Sequence, residues 1–456
     1  MTGGGLPLGR PTLVCGPAGC GKTLLAMEFL VRGITEFGEP GVFVAFEETV
    51  DELVENVASM GFDLQQLQDD GLLVMDHIHL APGDLEETGS WDLSGLFVRL
   101  GAAIDEVGAK RVVLDTIETL FGAFDSVATL RSELRRLFMW LKERGVTAVV
   151  TGERGDGSLT RYGIEEYVSD CVIVLDHRVS EQTSTRRLRV LKYRGSLHGT
   201  NEYPFLIGSR GVSVLPITSI GLQHAVSDER ISTGIDSLDS MLGGEGLYRG
   251  SSVLISGTAG TGKSTMAAQF CAAACGRGER AVYFAFEESA AQIVRNMASV
   301  GIDLARWVDE GLLEFRCVRP SLLGLEAHLA SMMDLVSDFR PDVVVMDPVS
   351  DLMHSGVGDE VYEMLTRQVD YLKSAGVTAV FTSLNAVGDP ESSEQLIGSL
   401  IDTWVMVKLE EGHGGRHRVI YILKSRGMAH SHETREFVVS ESGLRVADVY
   451  RPGVRS

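Results

Sequence analysis

Long apolar stretches are absent from this sequence of 456 residues, in which no run of eighteen apolar residues occurs. The N-terminus, MTGGGLPLGR (1–10), also lacks the basic-then-apolar order of a signal peptide. A membrane-spanning helix needs about 20 apolar residues, so both absences argue against a membrane or secreted protein. We expect a soluble, cytoplasmic protein.

Cysteine is scarce as well. The six cysteines stand at positions 15, 20, 171, 271, 275 and 317, and they form neither a CxxC pair nor a metal-binding quartet. Several lie in apolar or glycine-rich stretches, where a free thiol behaves as a small hydrophobic side chain. We therefore expect reduced cysteines in the protein core.

Positive charge is also in short supply, since 41 Lys and Arg face 63 Asp and Glu, a net charge of −22. Such a charge repels polyphosphate chains at long range, which makes nucleic acid an unlikely main partner. Eight lysines occur in the chain, and four of them lie inside repeated motifs: Lys22, Lys192, Lys263 and Lys424. This placement indicates that lysine serves to bind phosphate.

Two glycine-rich segments share one spacing: GPAGCGKT (16–23) and GTAGTGKS (257–264). Each follows an apolar run of strand length and precedes a segment with helical spacing of apolar residues. This context is typical of a P-loop, in which backbone N–H groups surround phosphates, the lysine reaches the β- and γ-phosphates and the hydroxyl holds Mg²⁺. A plain glycine turn before a helix is the alternative. The residues predicted to bind ATP are Gly16, Gly19, Cys20, Gly21, Lys22 and Thr23 in the first loop, and Thr258, Gly260, Thr261, Gly262, Lys263, Ser264 and Thr265 in the second.

The rest of the chain repeats in the same order. VFVAFEETVDELVENVASMGFDL (42–64) corresponds to VYFAFEESAAQIVRNMASVGIDL (282–304), and LKERGVTAVVTG (141–152) corresponds to LKSAGVTAVFTS (372–383). Matching blocks in one unbroken order indicate an internal duplication. Within each half, apolar β-rich runs alternate with helical periodicity, which predicts an α/β fold with two tandem P-loop domains, each a mostly parallel sheet with helices on both faces.

The two domains are predicted over residues 1–222 and 229–456, with a seam near 222–228. The first half has no counterpart of STGIDSLD (232–239), since it begins at once with GGGLPLGR (3–10). Ligands of open α/β sheets bind at the carboxyl ends of the strands. We therefore expect both nucleotide sites where the first strand of each domain turns into its first helix.

A pair of acids follows the second predicted strand of each half: Glu47 with Glu48, and Glu287 with Glu288. A carboxylate at a strand end beside the γ-phosphate can polarise an attacking water or accept a hydroxyl proton, so these four are the predicted catalytic residues. An N-terminal helix cap is the alternative, because Thr49 and Ser289 could each start a helix.

Asp115 in RVVLD and Asp347 in VVVMD end strongly apolar strands. A carboxylate at that point reaches the shell of a bound Mg²⁺ together with the P-loop hydroxyl, so Thr23, Asp115, Ser264 and Asp347 are the predicted metal residues. Because a buried, unpaired acid costs several kcal/mol, we expect a polar or metal partner for each. Thr116 follows one aspartate and Pro348 the other, so the second site lacks a hydroxyl that could steady a metal-bound water.

A third repeated element lies late in each half, RRLRVLKYRG (186–195) and HRVIYILKSRG (417–427). Alternate residues of a strand face one way, which places three cations on one face of each copy: Arg186, Lys192 and Arg194, and Arg418, Lys424 and Arg426. Like charges repel unless an anion meets them. We expect these cations to face the phosphates of an ATP bound by the neighbouring subunit; a solvated edge strand is the alternative.

The two P-loops, the FEET and FEES acid pairs, RYGIEEYVSD (161–170) and LKYRGSLHGTNEYPF (191–205) together closely resemble the KaiC-like family of the RecA superfamily. KaiC itself is the circadian-clock ATPase and autokinase, and the resemblance covers nearly the whole chain. It implies two RecA-like domains in a homohexamer with ATP and Mg²⁺ at subunit interfaces. It further implies that the N-terminal half hydrolyses ATP and that the C-terminal half also phosphorylates itself in trans.

The chain departs from this family at the phosphoacceptors, an adjacent Ser-Thr pair in KaiC. The matching stretch LIGSLIDT (396–403) has Gly398 at the first position and Ser399 at the second, so we expect one serine phosphoacceptor and no two-site order. In the first half, Tyr167 takes that position, which favours hydrolysis without autophosphorylation. Little sequence follows REFVVSESGLRVADVY (435–450), where KaiC has the tail that meets its activator KaiA. We expect a KaiC-like protein outside the cyanobacterial clock.

Three functions remain open from the sequence. The first is a hexameric ATPase with serine autokinase activity that acts in signalling or regulation, with a partner that the sequence does not identify. The second is a RecA-type DNA-dependent ATPase, against which the net charge of −22 and the lack of a basic, aromatic loop both argue. The third is a ring scaffold with little turnover, in which ATP mainly builds the ring.

Overall fold

The structure, a computed structural model, describes residues 1–78, 93–124, 126–155, 169–180, 183–208, 211–214, 227–322, 324–354, 358–384, 395–412, 415–441 and 443–450. The chain divides into two compact units, Met1–Pro216 and Ile217–Ser456. Most of the predicted seam at 222–228 lies outside the described residues, so the proposed domain limits stay a prediction.

The first unit contains a nine-stranded sheet and five helices in its described part. Its strands are β1 (Pro11–Gly16), β2 (Gly41–Ala45), β3 (Leu73–His77), β4 (Arg111–Asp115), β5 (Thr147–Glu153), β6 (Cys171–Ser180), β7 (Thr183–Tyr193), β8 (Glu202–Gly208) and β9 (Gly211–Val214). Its helices are α1 (Lys22–Phe37), α2 (Val50–Ala58), α3 (Leu64–Asp69), α4 (Ser94–Val107) and α5 (Val127–Glu143), and a 3₁₀ turn spans Ile117–Ala123. The strand order is β3-β2-β4-β5-β1-β6-β7-β8-β9, parallel as far as β6 and antiparallel beyond it.

The second unit opens with β10 (Arg230–Ile231), α6 (Asp236–Met241) and β11 (Leu247–Tyr248), a short addition in front of its main sheet. The main strands are β12 (Ser252–Gly257), β13 (Ala281–Ala285), β14 (Leu313–Cys317), β15 (Val343–Asp347), β16 (Thr378–Leu384), β17 (Thr403–Gly412), β18 (Gly415–Ser425), β19 (Arg435–Ser440) and β20 (Gly443–Val449). The helices are α7 (Lys263–Gly276), α8 (Ala290–Ala298), α9 (Ala305–Asp309), α10 (Leu325–Phe339), α11 (Gly358–Ser374) and α12 (Gln395–Leu400), with 3₁₀ turns at Pro320–Leu322 and Val349–His354.

The two large sheets have the same strand order, since the second runs β14-β13-β15-β16-β12-β17-β18-β19-β20. The strand before each P-loop, β1 or β12, therefore lies near the middle of its sheet between two parallel neighbours. The internal duplication predicted from the sequence is confirmed as a duplicated topology. Residues 1–10 form neither helix nor strand, so the first unit has no described counterpart of β10, α6 and β11.

Alternation along β2 shows why helices cover both faces of the first sheet. Val42 and Val44 belong to the apolar cluster built with α4 and α5, whereas Phe43 and Ala45 belong to the cluster built with α1, α2 and α3. Buried on both sides, such strands read as continuous apolar runs. The predicted fold class, two tandem RecA-like α/β domains with mostly parallel sheets, is confirmed.

All six cysteines are free, and five of them are buried. Burial raises the pKa of Cys171 and of Cys275 to about 11, so these thiols stay protonated near neutral pH. The prediction that every cysteine lies in the core is wrong for Cys317, which is exposed because it ends β14, the edge strand of its sheet. In the described part of the chain, no helix is long and apolar enough to cross a membrane.

Candidate nucleotide sites

Both predicted P-loops lead directly into a helix. The N-cap residues Gly21 and Gly262 have φ angles of 101° and 99°, in the left-handed region that favours glycine, and no side chain caps either helix. A Cβ atom on Gly21 would also lie 2.7 Å from the Cδ1 atom of Ile207. The first-turn N–H groups of α1 and α7 are thus placed to bind an anion, as at other helix N-termini.

The two P-loop lysines fold back over their loops and are buried. Lys22 Nζ donates to the carbonyls of Gly16 and Pro17, both at 3.0 Å, and Lys263 Nζ donates to the carbonyl of Thr258 at 2.9 Å. Loop carbonyls hold each ammonium group at the centre of its cradle, where it can meet the phosphates of a nucleotide.

The second cradle opens into a cavity of about 380 Å³. Residues predicted for this site line it together: Gly260, Gly262, Lys263, Ser264, Thr265, Glu287, Glu288, Asp347 and Arg418. Thr261 does not line the cavity; it is buried, and its hydroxyl donates to the carbonyl of Thr258 at 2.9 Å. The hydrogen bond between Thr261 and Thr258 therefore stabilises the loop on the side away from the cavity.

The aspartates at the ends of β4 and β15 both accept hydroxyl hydrogen bonds. Thr23 Oγ1 donates to Asp115 Oδ2 at 2.8 Å, and Ser264 Oγ donates to Asp347 Oδ1 at 3.2 Å. The expectation of a polar partner for each acid is confirmed. Burial raises the pKa of Asp115, while the hydroxyls of Thr151 and Thr23 and the charge of Lys22 oppose that increase.

A threonine of the adjacent strand supports each aspartate. Thr151 of β5 donates to Asp115 Oδ1, and Thr382 of β16 donates to Asp347 Oδ1. In the second unit, Tyr283 of β13 adds a third donor, with its hydroxyl 2.5 Å from Asp347 Oδ2. Sequence reasoning missed all three, although the matched TAVVT and TAVFT segments contain both threonines at one position.

Thr116 and Pro348 follow the two aspartates at peptide bonds that are both cis. The Thr116 hydroxyl is buried and makes no hydrogen bond to the described residues. The predicted difference between the sites, a hydroxyl in the first and none in the second, is present in the structure; its role toward a metal-bound water stays a prediction.

The acid pairs do not cap helices, so the alternative interpretation is wrong. Thr49 and Ser289 are the N-caps of α2 and α8, and each forms a capping box with the residue three positions on. The glutamates precede these caps and reach other partners. Glu48 accepts from Asn56 Nδ2 at 3.5 Å, and Glu288 accepts from Asn296 Nδ2 at 3.3 Å.

The first acid of each pair has different neighbouring side chains in the two units. Thr119 Oγ1 donates to Glu47 Oε1 at 3.1 Å. Asp351 takes the place of Thr119 in the second unit, and burial together with the charges of Asp351 and Asp347 raises the pKa of Glu287. Burial and the charge of Asp115 likewise raise the pKa of Glu48. A carboxylate with a raised pKa accepts a proton more readily.

The predicted cation triads separate into two groups. Arg418 lies at its own unit's cradle, where its Nε donates to the carbonyl of Gly260 at 3.2 Å. Arg186 occupies the matching position on β7. Burial raises the pKa of the P-loop thiol Cys20, and the charge of Arg186 opposes that increase. Lys424 is six residues further along β18, about 20 Å away at about 3.3 Å per residue.

The assumption of strict alternation along these strands is also corrected. The register shifts between Trp404 and Val405 opposite β18, and at the corresponding point, between Val172 and Ile173, opposite β7. A bulge inserts one extra residue and interrupts the alternation of faces. Arg194 and Arg426, moreover, lie just beyond the ends of β7 and β18.

The far group of cations contacts the helix that carries Ser399. Lys424 Nζ donates to the carbonyl of Gly398 at 2.6 Å, and Arg426 Nη2 donates to the carbonyl of Ser399 at 2.7 Å. Burial and the neighbouring Arg426 lower the pKa of Lys424. In the first unit, Arg194 lies 3.5 Å from the carboxylate of Asp170. Lys424 and Arg426 are therefore held in the second unit by carbonyl oxygens, and Arg194 is held in the first unit by a carboxylate outside the repeated motif.

Packing explains why glycine occupies the first acceptor position. A Cβ atom on Gly398 would lie 2.3 Å from the ring of Trp404, whose Nε1 donates to Ser256 Oγ at 2.7 Å. The fixed indole leaves no room for a serine there. Ser399 is exposed on α12. Tyr167, its predicted counterpart in the first half, lies outside the described residues.

Two glycine loops, each between a buried strand and a helix and beside a strand-end aspartate, define a tandem P-loop ATPase. A model of the KaiC ATPase family matches residues 1–219 and again residues 231–450. The chain therefore belongs to the KaiC family of ATPases, which confirms the resemblance and, with it, ATP binding and ATPase activity. No group of three or more His, Cys, Asp or Glu side chains able to hold a metal ion lies in the described part of the chain.

Curated relatives match along nearly the whole chain. It is 53% identical to the circadian clock protein KaiC2 of Synechocystis sp. over 453 residues, which cover 99% of this chain and 80% of the relative. It is 39% identical to the circadian clock oscillator protein KaiC of Parathermosynechococcus lividus, with 98% and 83% covered. Identity to the KaiC of Synechococcus elongatus is 37%, with 98% and 87% covered.

Proposed function

We propose that this KaiC-family ATPase forms a ring of six, hydrolyses ATP with Mg²⁺ in both halves and phosphorylates Ser399 in the second half, as part of a regulatory system. The observation that carries the proposal is the single cavity shared by Lys263, Ser264, Glu287, Glu288 and Asp347. The relatives named as circadian clock proteins support a regulatory role.

The residues present fit a magnesium ion bound together with a nucleotide. Thr23 and Ser264 each bring a hydroxyl to an aspartate at the cradle. Mg²⁺ is commonly held by one or two such groups plus substrate phosphates rather than by a cage of protein ligands, which agrees with one aspartate per site. When bound, the ion would neutralise charge on the β- and γ-phosphates.

Hydrolysis needs a base, a cradle and neutralising charge. Glu287 or Glu288 accepts a proton from the attacking water. The water oxygen bonds to the γ-phosphorus as the bond between that phosphorus and the bridging oxygen breaks, and ADP leaves. Lys263 and the first-turn N–H groups of α7 stabilise the charge on the phosphate oxygens. Arg418 adds a further cation from the same subunit, and Glu47, Glu48, Lys22 and Arg186 take these roles in the first site.

Assembly into a ring would bring the far cations to a neighbouring subunit's nucleotide. Lys424 and Arg426 lie well away from their own cradle along β18, so a second subunit is the natural source of phosphate for them; Lys192 and Arg194 would act alike in the first half. To reach it, Lys424 and Arg426 must exchange the carbonyls of Gly398 and Ser399 for that phosphate.

ATP with Mg²⁺ should therefore raise the native mass from that of a 49.4 kDa chain to about six times that value. The variant Lys424→Ala/Arg426→Ala should form fewer rings, whereas Lys408→Ala, a lysine that packs on the ring of Tyr421 instead, should assemble normally. Native mass spectrometry measures this directly. A stable monomer of the unmodified chain at saturating ATP and Mg²⁺ would contradict the interface proposal.

Incubation with ATP should place one phosphate on Ser399. For transfer, the serine oxygen must come in line with the γ-phosphorus of a nucleotide, with Glu287 or Glu288 accepting the hydroxyl proton. Phosphopeptide mapping of residues 391–408 should show a phosphate that disappears in Ser399→Ala and in Glu287→Gln/Glu288→Gln. An unmodified peptide during measurable ATP turnover would leave an ATPase without autokinase activity.

A further inference from the structure

The aspartates of the two sites differ in how their oxygens are hydrogen-bonded. In the first unit, Thr23 donates to one oxygen of Asp115 and Thr151 donates to the other. Each oxygen thus has one hydroxyl donor among the described residues.

In the second unit, a tyrosine changes this distribution. Tyr283 occupies one oxygen of Asp347 at 2.5 Å, and Ser264 and Thr382 share the other. The bond from the P-loop hydroxyl is correspondingly longer, 3.2 Å for Ser264 against 2.8 Å for Thr23. The P-loop hydroxyl of the second site therefore has a weaker hold on its aspartate.

Tyr283 has an internal reference in the same chain. It lies on β13 opposite Val345, and Phe43 lies at the matching position on β2 opposite Val113. Both side chains are completely buried. The duplicated fold thus offers the same site with and without one hydroxyl group.

We propose that Tyr283 is a positioning residue that weakens the affinity of the second nucleotide site for Mg²⁺ relative to the first. The inference rests on the proposed metal role of Ser264 and Asp347. A hydroxyl is a better metal ligand when it donates strongly to a carboxylate, because that donation increases the electron density on its oxygen. By occupying Asp347, Tyr283 lowers the negative charge available both to Ser264 and to the ion.

Binding of a non-hydrolysable fluorescent ATP analogue to the full chain tests this proposal at increasing MgCl₂ concentrations. Lys22→Ala removes the first site from the measurement, and Tyr283→Phe is then introduced. Compared with Lys22→Ala alone, the Lys22→Ala/Tyr283→Phe protein should need about 3- to 10-fold less Mg²⁺ for half-maximal binding of the analogue. This change is smaller than the roughly 10- to 100-fold effects typical of residues that hydrogen-bond to metal ligands. Binding in EDTA should not change. Tyr371→Phe is the matched control, because it removes a hydroxyl that donates to the carbonyl of Met333 at 3.2 Å.

The reciprocal substitution makes the test independent of one variant's folding. With Lys263→Ala silencing the second site, Phe43→Tyr should raise the Mg²⁺ requirement of the first site by about the same factor. An unchanged Mg²⁺ requirement in a folded Tyr283→Phe protein, or an equal change in EDTA, would overturn the proposal. If Tyr283→Phe does not fold, an unchanged requirement in Phe43→Tyr overturns it. Absence of any nucleotide binding in Lys22→Ala would instead contradict the proposed second site itself.

Discussion

Lys263→Ala should abolish nucleotide binding at the second site and leave the first site intact. The lysine of a P-loop reaches the β- and γ-phosphates, and hydrogen bonds to charged groups contribute about 1.5–3 kcal/mol each. Losing one bond to each phosphate therefore weakens nucleotide binding by at least about 100-fold. The ammonium group is held at the centre of its loop by the carbonyl of Thr258, and an alanine side chain has no charge to replace it. Titration calorimetry should show the stoichiometry falling from two nucleotides per chain to one.

Lys22→Ala is the mirror experiment, and Lys408→Ala should retain both sites. The two cradles lie in separate compact units, which is why we expect independent losses. Loss of both sites in Lys263→Ala, in a protein that keeps its fold by circular dichroism and its assembly by native mass, would contradict two independent cradles.

Glu287→Gln/Glu288→Gln should lower the ATP turnover of the second site by about 100- to 10,000-fold, the usual contribution of a general base, while nucleotide binding persists. The measurement is phosphate release in the Lys22→Ala background, where the first site is silent. Glutamine keeps the shape of each side chain but cannot accept the proton. Asn296→Ala is the companion variant, since Asn296 lines the same cavity and donates to Glu288, but its amide group cannot serve as the base.

The pH profile of the same reaction gives a second readout. Burial and the charges of Asp351 and Asp347 raise the pKa of Glu287. The base form is therefore lost as the pH falls through this raised value, at a higher pH than for an isolated glutamate. Turnover that survives in the double glutamine variant with an unchanged acid limb would show that another group takes the proton.

Much of the site could be predicted from the sequence, because its parts are local. A P-loop needs only glycines at fixed spacing between a strand and a helix, and each acid pair follows its strand directly in FEET and FEES. The aspartates at the strand ends can be recognised from the apolar run that precedes each of them. These features depend on residues close along the chain, so one copy is readable and the second copy corroborates it.

The hydrogen-bond partners of the aspartates could be identified only from the strand order of the folded sheet. Thr151 and Tyr283 stand far from Asp115 and Asp347 in sequence and meet them only because β5 lies beside β4 and β13 lies beside β15. The matched repeat could have drawn attention to Thr151 and Thr382. It could not have shown that Tyr283 takes an oxygen that the P-loop hydroxyl uses in the other unit.

The cations show where local periodicity misleads. The sequence by itself determined the duplicated P-loop fold, the two cradles and the kinds of residue that surround them, because strand and helix periods and glycine spacing act over a few residues. Only the tertiary structure decided that Arg418 belongs to its own cradle, that Lys424 and Arg426 meet the helix of Ser399, and that Trp404 excludes a side chain at position 398. A bulge shifts alternation by one residue, and contacts between segments distant in the chain depend on strand order and packing, which no short-range pattern encodes.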